Sequence, residues 1–237
     1  GAAAGSFALY EGETVTMKPI FAFDVCLTVL SLIGQGVMHI LFISRLTGKK
    51  RRVWHFPLYI FLLGIIQFMP FPDAASGLLA IGAQALALYG MSHAALGNGG
   101  SVSWTATFLA IYISQLSFGI INSMETILFP QLIGKKLLYP VVFLATLAAF
   151  TICFCLYTVV LKFLSLTEDG RTASAGVLLP PGMFFCAAQL YILQTAYRVL
   201  QLPLSSEAVG KHAMLLLLQI LGLGALLCML YACRHLD

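Results

Sequence analysis

The sequence predicts an all-α fold: a polytopic transmembrane helix bundle of about seven spans, N-terminus outside and C-terminus inside. Three observations predict it. Of the 237 residues, 60% are hydrophobic and 9% charged, where a soluble domain carries roughly 45–50% apolar and about 25% charged residues. Apolar runs approaching the ~20 residues that a helix needs to cross a bilayer recur along the chain. Five of the 13 basic residues stand in one run, Arg45, Lys49, Lys50, Arg51 and Arg52, which reads as an inner loop. The composition, with a mean hydropathy of +0.95, excludes soluble enzymes, nucleic-acid binders and disordered tails, and makes the lipid bilayer the first partner.

Residues 1–16 carry Glu11 and Glu13, lack the basic start of a signal peptide, and precede Met17. They read as an appended or upstream segment ahead of a single transmembrane domain over 17–237. The first span runs from about Ile20 to Leu46 and ends at the basic run. The second, Trp54–Met69, is short and closes at Pro70 and Pro72. The third, Gly77–Leu96, is stopped by Gly97, Gly99 and Gly100, and the fourth, Trp104–Leu128, by Pro130. The fifth is Leu137–Leu164. The sixth, Pro181–Leu200, places Pro181 at a first helical position, where its missing N–H costs nothing. The seventh is His212–Cys233.

Counting Lys and Arg orients the bundle. With the basic loop inside, Arg45, Lys49, Lys50, Arg51, Arg52, Lys162, Arg171 and Arg234 are inner. Lys18, Lys135, Lys136, Arg198 and Lys211 are outer. Lys135 and Lys136 fit that side poorly, which leaves six spans open if one hairpin is re-entrant. Trp54 and Trp104 begin spans on the inner side and fit an interfacial belt.

Polar groups inside a bilayer are expensive, so their placement is informative. Asp24, Thr28, Ser31, Gln35 and His39 recur at steps of 4, 3, 4 and 4, one face of the first span. Gln115, Gly119, Asn122 and Glu125 recur at steps of 4, 3 and 3, a second polar face. Both faces can line a ligand pocket, with Asp24, Asn122 and Glu125 at the outer rim and Gln115, Gln35 and His39 deeper. They can equally be hydrogen-bond glue between helices, as can small residues such as Gly34, Gly36, Gly222 and Gly224. Gln67, Gln84, His93, Gln189, Gln194 and Gln219 are single polar groups in other spans.

The six cysteines, Cys26, Cys153, Cys155, Cys186, Cys228 and Cys233, all sit in apolar stretches, where cysteine packs as a small hydrophobe. Cys153 and Cys155 form C-x-C with no further ligands at zinc spacing, so no metal site is expected. H-E-x-x-H, G-x-S-x-G and P-loop signatures are absent, and no cofactor motif is present.

The stretch Leu116-Ser117-Phe118-Gly119-Ile120-Ile121-Asn122-Ser123-Met124-Glu125 is followed by a Pro-bounded hairpin and then Leu137-Leu138-Tyr139-Pro140. With the basic loop after a polar first span and the exit Tyr231–Asp237, this resembles the membrane sensor regions of accessory-gene-regulator-type receptor histidine kinases of Firmicutes, over residues 17–237. The resemblance implies a quorum-sensing receptor of the two-component type in the bacterial plasma membrane. It implies an extracellular ligand, often a cyclic peptide, and a homodimer. It also implies that the last span signals to a cytoplasmic output domain. Kinase activity would lie in that domain, which is missing from this chain, so the chain itself is not expected to be an enzyme. Two alternatives remain. One is a small-solute or vitamin transporter subunit with a pocket formed by Gln84, His93, Gln115 and Gln189. The other is a non-catalytic membrane scaffold.

Overall fold

The computed structural model describes residues 17–70, 76–129, 138–164, 173–199 and 206–235. These residues form seven α-helices in the order α1 (Met17–Thr47), α2 (His55–Phe68), α3 (Ser76–Gly90), α4 (Gly100–Leu128), α5 (Leu138–Phe163), α6 (Ala173–Val199) and α7 (Ser206–His235). No strand occurs among them. Each helix covers one of the expected apolar segments. Five carry a stretch long and apolar enough to cross a membrane: Val25–Thr47, Gly77–Ala95, Gly100–Leu128, Pro140–Phe163 and Val209–Cys233. The chain is thus a helical protein suited to a bilayer. The α2 helix has 14 residues, about 21 Å at 1.5 Å per residue, short of a ~30 Å hydrocarbon core.

Helix ends follow local chemistry. Gly48 takes φ 68° just past α1, the left-handed stop that a residue without Cβ adopts at no steric cost. Met69 is extended at φ −68° and ψ 133°, because the ring of the following Pro70 disfavours a helical residue before it. Beyond α3 the chain widens into a π-helical turn, Met91–Ala95, whose Leu96 N–H donates to the Met91 carbonyl at 3.1 Å. Gly97 then reverses the chain at φ 70°.

Several helix starts precede the sequence expectation: α1 begins at Met17 rather than Ile20 and α7 at Ser206 rather than His212. The α4 helix begins at Gly100, a turn before Trp104. The α6 helix begins at Ala173, so Pro181 lies in its interior and not at its first turn. Pro180 and Pro181 lack the N–H groups that the carbonyls of Gly176 and Val177 would accept. Helices in membranes tolerate this where neighbours re-satisfy the freed groups.

The bundle is organised around α4. Helices α1, α3, α5, α6 and α7 all pack on it. Its buried surface mixes large apolar side chains with the small residues Ser103, Ala106, Thr107, Ala110, Ser114, Ser117 and Ser123. Small side chains let helix backbones approach, which is the main source of association where lipid removes the hydrophobic drive. Many hydroxyls close on their own helix. Ser117 Oγ donates to the Ile113 carbonyl at 2.7 Å, and Thr47 Oγ1 to Ile43 at 2.9 Å. Such i−4 bonds let Ser and Thr sit in an apolar setting without a partner helix. Elsewhere glycine makes the room. A Cβ on Gly34 would lie 2.6 Å from the Phe150 ring, and one on Gly36 would meet Ile60, while one on Gly224 would meet open space.

Candidate functional site

The two polar faces have different fates. Asp24 belongs to α1, but its side chain lies outside the described residues. Gln35 is half-buried. His39 is buried, and it turns toward α2, where Nδ1 stands 3.1 Å from the Tyr59 hydroxyl. Its Nε2 has no hydrogen-bond partner among the described residues. On α4, Gln115 and Glu125 are half-buried and Asn122 is exposed. The Asn122 carbonyl accepts the Thr126 hydroxyl at 3.0 Å, and the Glu125 carbonyl accepts the Phe129 N–H at 2.9 Å. Helices α1 and α4 pack together. His39 is nonetheless committed to α2.

Three buried tyrosines, which the hydropathy pattern does not single out, hydrogen-bond between helices. The Tyr112 hydroxyl on α4 donates to Gln189 Oε1 on α6. Gln189 Nε2 in turn donates to the Leu218 carbonyl on α7 at 2.6 Å. One buried amide therefore ties three helices. Tyr157 on α5 donates to the Ala110 carbonyl on α4 at 2.8 Å and stacks on Phe42 of α1 at a centroid distance of 4.2 Å. A tyrosine buries a large apolar ring while its hydroxyl demands a partner, so tyrosines within apolar runs were the available signal. Each such bond between membrane helices contributes roughly 0.6 kcal/mol, at most about 1.7.

Gly222 supports the Gln189 clamp. A Cβ there would overlap Nε2, Oε1 and Cδ of the Gln189 amide. Gly182 likewise makes room for the sulfur of Met229. Beside that contact, between α6 and α7, lies an apolar cavity of about 230 Å³ lined by Gly182, Phe185, Cys186, Ala225, Leu226 and Met229.

A second polar cluster closes the end of the bundle where α3 meets α4. Asn98 Nδ2 donates to Ser92 Oγ at 3.1 Å, and Ser92 Oγ donates to Ser103 Oγ at 3.2 Å. His93 Nδ1 lies 2.7 Å from the Asn98 carbonyl. Tyr89 stacks between His93 and Trp104, with centroid distances of 5.6 and 4.5 Å. His93 thus serves the turn, and Gln189 serves the α4–α6–α7 clamp. Gln84 and Gln115 are half-buried. Among the described residues, no three His, Cys, Asp or Glu side chains converge.

The arrangement positions helices against one another through paired polar groups, with α4, which carries Glu125, tied through Gln189 to the α7 backbone. No family model, curated protein or solved structure matches this chain.

Proposed function

We propose that the chain is a multi-pass membrane sensor module. An extracellular small molecule or peptide binds the outer rim formed by α1 and α4, and α7 passes the change to a cytoplasmic output. In this reading the seven helices all lie within the membrane, the basic loop faces inward and the module acts as a homodimer. A ligand acts only by preferring one packing of the spans over another.

The observation that carries the reading is the Gln189 clamp. It joins α4, which holds Gln115, Asn122 and Glu125, to the backbone of α7. A packing change at the rim of α4 therefore reaches the last helix through this side chain as well as through the direct packing of α7 on α4. A solute-carrier reading has less support, since Gln189 and His93 are taken up by helix-to-helix and turn contacts.

The test is a thermal-shift screen of the purified full chain against a synthetic cyclic-peptide library and a vitamin panel. Stabilisation by peptides alone supports the sensor. Stabilisation by vitamins, with uptake into proteoliposomes, overturns it.

A further inference from the structure

The connection between α1 and α2 carries more organisation than a linker needs. Arg45, Lys50, Arg51 and Arg52 are exposed, and Lys49 is half-buried. The backbone that presents them is braced. Ser44 Oγ donates to the Lys49 carbonyl at 2.7 Å. The Arg52 N–H donates to His55 Nδ1 at 3.2 Å, and the His55 N–H returns to the Arg52 carbonyl at 3.2 Å. Gly48 supplies the left-handed turn at φ 68°. Directly after the cations come Val53, 86% exposed, and Trp54, 47% exposed. The Trp54 indole is held edge-on to His55 at 4.3 Å.

Exposed cations followed by an exposed valine and indole match the boundary between headgroups and acyl chains. Tryptophan rings settle there, and clustered Lys and Arg meet anionic lipid beside a membrane helix. We propose that the α1–α2 connection binds the phosphate groups of anionic phospholipids in the leaflet it faces. Bonds within the turn already order the backbone, so binding orders side chains alone. The first N–H groups of α2 are used, since Phe56 donates to the Val53 carbonyl at 3.4 Å and Leu58 to Trp54 at 3.3 Å. Pro57 has none to offer. The phosphate is held by Arg45, Lys50, Arg51 and Arg52 side chains, so binding weakens with salt. Val53 and Trp54 select a lipid over a soluble acidic partner, because only a lipid offers acyl chains beside its charge.

The proposal stands apart from the sensor reading and needs no signal ligand. Its test uses the full chain in neutral detergent with Trp104→Phe, which leaves Trp54 as the sole indole. Energy transfer from Trp54 to acyl-chain-labelled phosphatidylglycerol is titrated against the same label on phosphatidylcholine. Phosphatidylglycerol should bind more tightly. Lys50→Gln, Arg51→Gln and Arg52→Gln combined should weaken it by roughly 100-fold, and each alone by roughly 5-fold. The single variants decide the matter if the triple variant does not fold. Equal affinity for the two lipids, or single variants that bind phosphatidylglycerol like the parent, would overturn the proposal. Displacement of the labelled lipid by millimolar inorganic phosphate would also overturn it, in favour of a soluble phosphate site.

Discussion

Replacing Gly222 with alanine should destabilise this protein, and the sign should reverse once Gln189 is shortened. The new Cβ would overlap three atoms of the Gln189 amide. That amide cannot swing aside freely, because it accepts from Tyr112 and donates to Leu218. Moving it forfeits two bonds between helices, each contributing roughly 0.6–1.7 kcal/mol. The sum, about 1–3 kcal/mol, matches the usual cost of overpacking. In a Gln189→Ala background the collision and both bonds are gone. What remains is the gain of about 1 kcal/mol for alanine over glycine inside a helix. The Gly222→Ala change should then be neutral or stabilising. The assay is reversible unfolding in mixed micelles for the parent, the two single variants and the double variant. A coupling of about 1–3 kcal/mol is expected, the cost of the collision alone, because the helix gain of alanine is common to both backgrounds. A harmless Gly222→Ala in the parent, or equal damage in both backgrounds, refutes the clamp.

Two further outcomes follow from the same contacts. Tyr59→Phe removes the hydroxyl beside His39 Nδ1 while Nε2 already has no partner among the described residues, so a loss of about 1–3 kcal/mol is expected. Adding His39→Leu should recover most of it in the same unfolding assay, and a neutral Tyr59→Phe would sink this account of the α1–α2 contact. Glu125→Gln should leave the melting temperature of the unliganded protein unchanged and abolish the shift caused by a stabilising peptide. A retained shift would remove Glu125 from the site.

Much of the architecture was legible because its physics is local. Apolar runs located the helices. Pro70 marked the end of α2, and the basic run marked the end of α1. Gly34, Gly36 and Gly222 fit close approach of helices, and each meets a neighbour that a side chain would strike. Gly224 fits the same pattern in sequence but faces open space. A helical period tells which residues share a face but not which neighbour that face meets. His39 shows this, since its period groups it with Gln35 while its imidazole meets Tyr59 on another helix. The early start of α6 was hidden for a related reason. Pro181 satisfies the rule for a first turn, but apolar residues upstream continue the helix through it. Tyr59, Tyr112 and Tyr157 are hidden because tyrosine counts among the hydrophobic residues of the composition, although each hydroxyl crosses to another helix.

The central claim is that ligand at the rim of α4 repacks α7. Cys233 is buried at the far end of α7, 1% exposed, and reports that packing directly. With the exposed Cys26, Cys155 and Cys228 changed to serine and the buried Cys153 and Cys186 changed to alanine, Cys233 is the sole thiol, and its maleimide labelling rate is measured before and after a stabilising peptide is added. The account predicts a several-fold change in rate that Gln189→Ala suppresses. A rate unaffected by bound peptide would contradict it.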